Sequence, residues 1–221
     1  MNRLNWIRKG LLIKPDKNKY WMKTHCMIPT PYKISENIYR IYYSGRDENN
    51  RSHIGFSTID LSKNCEIVDT SNKPILCPGE LGCFDDNGVT PSCIIKLNSN
   101  ELALYYIGWN PGSTTRMHIY GGLAISTDNG KTFKRWSKAP IIERTKSDPY
   151  INTAPWVVKK KHNFIMYYVS GIEWLSKDLP RYNIKIGTSN DGKHWKRDGT
   201  VCIDFKNKNE NALARPYVIY D

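Results

Sequence analysis

The apolar positions of this chain come in short runs, not in long periodic stretches. Cys93 to Leu97, Leu102 to Ile107, His118 to Ile125 and Pro140 to Ile142 carry strand-type or alternating residues, separated by turn clusters such as Asn98-Ser99-Asn100 and Asp128-Asn129-Gly130. Alternation punctuated by turn residues predicts strands joined by hairpins. No stretch keeps an apolar period of 3.6 over three turns, so long helices are not expected.

The pattern repeats along the chain. A Pro preceded by a small or polar residue occurs at Thr30-Pro31, Thr90-Pro91, Ala154-Pro155 and Arg215-Pro216, a period of a little over sixty residues. Ile41-Tyr42-Tyr43-Ser44-Gly45, Leu104-Tyr105-Tyr106-Ile107-Gly108 and Met166-Tyr167-Tyr168-Val169-Ser170-Gly171 keep step with it. So do Ile54-Gly55-Phe56-Ser57, Leu123-Ala124-Ile125-Ser126 and Ile186-Gly187-Thr188-Ser189. Each repeat reads as a four-stranded antiparallel meander, the unit of a propeller blade. The expected architecture is therefore an all-β, single-domain β-propeller with blades at about 25–84, 85–151 and 152–211. The first strand of a fourth is expected at 212–221. Three and a quarter blades do not close a ring. The chain is thus expected to be a partial version of a longer propeller. Trp6 to Ile13 and Tyr20 to His25 are expected to supply latching strands, and the open blade edges to take a partner chain or a second copy.

Composition removes several alternatives. Seven Trp, 14 Tyr and 5 Phe among 221 residues argue against a disordered chain. No apolar run approaches the roughly 18 to 20 residues that cross a bilayer. Leu11-Leu12-Ile13 is too short for a signal-peptide core, which predicts a cytoplasmic protein. The six cysteines include no Cys-x-x-Cys pair and read as reduced structural thiols. The five histidines fall in different strands or turns, so neither a metal nor a cofactor is expected. The net charge of +12 invites a nucleic-acid partner, but the lysines are scattered, and the run Lys159-Lys160-Lys161 sits at an expected hairpin tip. An acidic substrate or an anionic polymer is compatible with that charge.

In an up-and-down blade, the entries to first strands and the exits from second strands emerge on one face. That face collects His25 to Pro29, Asp85-Asp86-Asn87-Gly88, Asn152-Thr153 and Arg215 from entries, and Arg46-Asp47-Glu48, Trp109-Asn110 and Glu173-Trp174 from exits. Carboxylates, guanidinium groups and indole rings converging in this way suit a polyhydroxylated ligand. The opposite face receives Ser126-Thr127-Asp128-Asn129-Gly130-Lys131-Thr132-Phe133, an Asp-box, and the shorter Ser189-Asn190-Asp191-Gly192-Lys193-His194-Trp195. Both read as hairpin clips in which the Asp bonds turn amides. A sialidase, which Asp-boxes also suggest, would want three Arg on the channel face, where only Arg46 and Arg215 can be placed.

The entry Phe84-Asp85-Asp86-Asn87-Gly88-Val89-Thr90-Pro91-Ser92, the exit Tyr43-Ser44-Gly45-Arg46-Asp47 and the period together resemble the five-bladed propeller glycosidases of glycoside hydrolase families 43, 32, 68 and 130. The resemblance implies five blades and an acid near the first-strand entry of each of the first three. Asp85 and Asp86 match in the second repeat. The first carries His25-Cys26-Met27-Ile28-Pro29 where the resemblance implies an Asp, and the third carries Asn152-Thr153-Ala154-Pro155 where it implies a Glu.

The expected catalytic set is Asp86 with its neighbour Asp85 as base or ligand-binding carboxylate, Glu173 as proton donor and Asp47 as a second acid beside Arg46. One member of the Asp85/Asp86 pair competes with an Asx-turn role before Gly88. The expected substrate-binding set is His25, Arg46, Trp109, Asn152, Trp174 and Arg215, with Trp109 and Trp174 as sugar platforms. The functional expectation is hydrolysis or transfer of a glycosidic bond. The alternative, favoured by the unmatched acids, is a glycan-binding or scaffolding propeller without catalysis.

Overall fold

A computed structural model describes residues 6–219. Twelve strands, and no α-helix, are found among the described residues. β1 (Thr24–Lys33), β2 (Ile38–Arg46), β3 (Ser52–Asp60) and β4 (Glu66–Thr70) form a first antiparallel meander. β5 (Gly88–Lys96), β6 (Leu102–Pro111), β7 (Met117–Ser126) and β8 (Lys134–Arg135) form a second. β9 (Asn152–Lys159), β10 (Phe164–Ser176), β11 (Leu179–Ser189) and β12 (Val201–Ile203) form a third.

Successive meanders touch through one parallel bridge from a third strand to the next first strand: Ser52 to Gly88, then Tyr120 to Asn152. Gly88 permits the first of these, since a Cβ there would lie 2.3 Å from the Ser52 hydroxyl. Tyr182 to Ala212 repeats the same step a third time. Beyond Ala212 the described residues carry no further strand, and Tyr220 and Asp221 lie outside them.

Two sequence expectations need correction. The fourth strand of the second meander is Lys134–Arg135, whereas of the Pro140–Ile142 run only Ile142 pairs, as an isolated bridge to Gly121. The outermost strand need not be apolar, because its outer edge faces solvent. The stretch Trp6–Met22 forms no strand. Instead Trp21 is fully buried, stacks on Tyr43 with ring centroids 6.0 Å apart, and donates its indole N–H to the Asn72 carbonyl at 3.2 Å.

The core lies between meanders. Tyr42, Ile54, Phe56, Val89, Leu104 and Tyr106 pack the first against the second, and Leu97, Tyr105, Leu123, Val157, Met166 and Tyr168 pack the second against the third. Buried tyrosines bring hydroxyls that need partners. Two of them find turn carbonyls on the following meander: Tyr42 donates to Gly130 at 2.9 Å and Tyr105 to Gly192 at 2.6 Å. Those turns are themselves wired. Ser126 receives the Gly130 amide at 2.8 Å, and Asp128 receives the Lys131 and Thr132 amides at 3.0 Å. Ser189 and Asp191 reproduce the pattern.

Two further buried tyrosines meet acids, and a fifth, Tyr43, meets the Ser57 hydroxyl at 3.2 Å. Tyr106 and Arg135 both reach the Asp85 carboxylate, at 2.9 and 2.8 Å. Tyr168 and Arg197 reach Asp148 at 2.9 and 3.1 Å, joined by Ser170 and the Lys185 ammonium at 2.8 Å. Each clasp ties the entry loop of a meander to its second strand and its outer edge. Burial alone would raise the Asp148 carboxyl, but Lys185, Ser170 and Tyr168 more than offset it, so it sits below the ordinary carboxylate value.

Replacing Asp148 by Asn leaves Lys185 and Arg197 buried without a counter-charge and should cost roughly 3 kcal/mol, read from urea unfolding. A depressed native pKa stabilises above the unfolded value near about 3.9 and is lost as pH falls through the native value. The gap between wild type and Asp148→Asn should therefore close below about pH 4.

Candidate functional site

The rim is shaped by an irregular first strand. β1 carries two register shifts against β2, between Thr24 and Met27 and between Met27 and Thr30, and His25 and Ile28 adopt left-handed backbone at φ 62° and 53°. Bulges re-aim side chains and concentrate near binding sites. Between this bulged stretch and the ends of β2, β5 and β6 lies a cavity of about 200 Å³, lined among others by Met27, Ile28, Arg46, Asn87, Thr90 and Trp109. Arg46 donates Nη1 to the Asn50 side chain at 2.8 Å, while its Nε is buried with no hydrogen-bond partner. Trp109, paired in β6 with Gly88 and Ile119, packs on the apolar cluster of Ile107, Ile119 and Val169. Trp174 packs on the same cluster from β10 but does not line the cavity.

The four predicted acids lie in four different settings. Asp47 is buried and closes the β2–β3 loop by accepting the Asn49 and Arg51 amides, the Arg51 side chain and His53 at 3.1 Å. Burial pushes its carboxyl up, but the bonds from His53 and Arg51 outweigh this and hold it low. Asp85 is fully buried in the clasp with Arg135 and Tyr106. Glu173 forms an ion pair with Arg181 across the β10–β11 hairpin at 2.8 Å. Asp86 alone forms no ion pair among the described residues: it accepts the Gly82 amide at 2.9 Å and the Asn110 side-chain amide at 2.8 Å, one residue away on each strand from the cavity-lining Asn87 and Trp109.

The remaining predicted residues divide. Arg46 and Trp109 meet at the cavity. His25 is exposed, does not line the cavity and bonds Thr24 at 2.9 Å. Arg215, at φ 49°, crosses to β1 and donates to the Pro29 carbonyl at 2.8 Å and the Thr30 hydroxyl at 3.1 Å. Asn152 is buried and holds the Glu143 and Asp148 carbonyls, so it supports the third entry loop. The clasps around Asp85 and Asp148 were not foreseen. Their signal was an Asp followed by Tyr at 21 or 20 residues and Arg at 50 or 49. No group of three His, Cys, Asp or Glu side chains suited to a metal is found among the described residues.

No protein-family model matches the chain. It is 37% identical to the uncharacterized protein Rv1502 of Mycobacterium tuberculosis strain ATCC 25618 / H37Rv over 218 residues, covering 98% of this chain and 72% of that protein. A second relative, MT1551 of strain CDC 1551 / Oshkosh, is 36% identical over the same length. The chain belongs to their family. Among solved structures it is similar to a glycosyl hydrolase from Bacteroides ovatus, with a TM-score of 0.64 at 15% identity over 86% of this chain and 58% of the other. It is equally similar to a structure of the GH130 family of mannoside phosphorylases, which contains glycoside hydrolases that target β-1,2 mannosidic linkages in Candida mannan, with a TM-score of 0.64 at 16% identity over 86% and 57%. A BT0996 complex with RGII gives 0.61 at 17% identity over 93% and 62%. The family's fold is thus that of the glycoside hydrolase-like propellers. The chain spans about 60% of the length of these solved structures.

Asp47 offers a direct check on the wiring of the rim loop. Burial lowers the His53 pKa, and the neighbouring carboxylate raises it in part. In Asp47→Asn the imidazole should titrate at lower pH than in wild type, followed by NMR of its ring protons.

Proposed function

We propose that the chain is a carbohydrate-active propeller whose rim cavity binds a sugar unit. Trp109 offers an indole face, and Arg46, Asn50 and Asn87 offer polar contacts. The observation that carries the reading is the convergence of Arg46 from β2, Asn87 from the loop before β5 and Trp109 from β6 on one cavity, with a carboxylate that has no cationic partner, Asp86, preceding Asn87 in the chain. In the catalytic form of this reading, Asp86 carries the acid–base or nucleophilic role in glycosidic bond hydrolysis or transfer. Asp85 and Asp47 anchor loops, and Glu173 acts from the neighbouring hairpin.

A binding protein without turnover is the second reading. Its support is that Asp47, Asp85 and Glu173 are each already engaged by a cation or a His, and a carboxylate held in an internal ion pair is poorly placed to exchange protons with a ligand.

The finer architecture belongs to the same proposal. The matched 218 residues are 72% of the Rv1502 protein, which leaves about 85 of its residues outside the match, somewhat more than one further repeat. Added to three meanders and the Tyr182–Ala212 step, that length is compatible with a five-bladed ring. In the chain as it stands, the short edge β12, with Val201 and Ile203 exposed, is a candidate surface for a second copy.

Incubation with a panel of oligosaccharides should give measurable cleavage or transfer, lowered at least 10²-fold in Asp86→Asn. Wild-type binding without product, seen in the same panel, would select the second reading. In either case Trp109→Ala should weaken sugar binding several-fold, read by titration calorimetry.

A further inference from the structure

We propose that the rim cavity selects a sugar bearing an anionic oxygen group, a carboxylate or a phosphate ester, and that Arg46 is the side chain that reads it. This rests on the carbohydrate reading above and adds the charge class of the ligand.

The argument is a balance of charges. The residues lining the cavity include one cation, Arg46, and no carboxylate. Asp47 is turned into its own loop, held by Arg51 and His53. Asp85 is spent on Arg135, and Glu173 on Arg181. Asp86 is directed at Gly82 and Asn110, both neutral donors. Arg46 meets only the neutral Asn50 side chain, and its Nε is buried without a partner. A guanidinium that meets only a neutral partner at a cavity gains a charge-assisted contact from an incoming oxyanion, whose geometry its planar fork of donors matches.

A second guanidinium stands on the same stretch of β1. Arg215 donates to Pro29 and Thr30, immediately after the cavity-lining Met27 and Ile28, forms no ion pair among the described residues, and also has a buried Nε without a partner. Two cations without counter-charges thus flank the bulge. The overall charge of +12 adds long-range attraction for an acidic ligand.

The test is titration calorimetry on the full chain at low salt with matched ligands: neutral galactobiose, digalacturonate, a phosphorylated disaccharide and inorganic phosphate alone. An acidic sugar should bind at least ten-fold tighter than its neutral counterpart. Arg46→Gln should erase that preference, and Arg46→Lys should restore part of it. Neutral and acidic sugars binding wild type equally would overturn the inference and leave the carbohydrate reading intact. Inorganic phosphate binding as tightly as the acidic sugars would overturn a ligand-borne anion in favour of a free one. Binding of none of the four would overturn both. The wild-type comparison decides the matter even if Arg46→Gln fails to fold.

Discussion

A four-stranded meander is too thin to hide both of its faces, so each module of this protein depends on its neighbour for an apolar surface to bury. The Tyr-Tyr pairs of the second strands show how this is arranged. Successive residues of a strand point to opposite faces. Tyr105 therefore goes to the interface with the third module, while Tyr106 goes to the interface with the first. Large amphipathic rings stand in both interfaces, and the hydroxyls of the four buried ones, Tyr42, Tyr105, Tyr106 and Tyr168, are each matched to an acceptor. The position of the rim residues follows from that stacking: Arg46 and Trp109 meet because their strands belong to modules pressed face to face.

The same physics explains why the rim is unusual in charge. Entry loops in the second and third modules are tied down by buried acids, Asp85 and Asp148, and buried acids require cations nearby. Arg135, Arg197 and Lys185 fill that need. The first module has no equivalent acid. There Trp21 stacks its indole on Tyr43, and the β2–β3 loop is fastened by Asp47. Carboxylates are thereby consumed by the scaffold, and the guanidinium groups of Arg46 and Arg215 are left facing neutral partners.

Much of the fold was legible because it is periodic. The Pro markers and the Tyr-Tyr pairs followed by Gly after one or two residues mark the repeat, and alternation marks the strands. The fourth strand of the second module escaped because edge strands carry little apolar signal, and Lys134-Arg135 looks like a loop. At the site, the meeting of Arg46 and Trp109 on one rim was legible because topology alone decides which loops share a face. The acids were harder. Whether an Asp at a strand entry is buried in the core or left half-buried turns on a single residue of register: Asp85 is fully buried in its clasp, whereas the adjacent Asp86 is half-buried and bonds Gly82 and Asn110. The partners that immobilise Asp47 and Glu173 are at most eight residues distant, too common a spacing to single out in advance.

The hydroxyl of Tyr42 finds its carbonyl 88 positions downstream, and that of Tyr105 finds its own 87 downstream. During synthesis a module therefore emerges from the ribosome well before the turn that seals it. Its inner face stays open until the third strand of the next module has been translated, and order spreads from the N-terminus one module behind the growing end. An insertion in one of those turns would thus be felt first as delayed closure of the preceding module, in a nascent chain still exposing tyrosines.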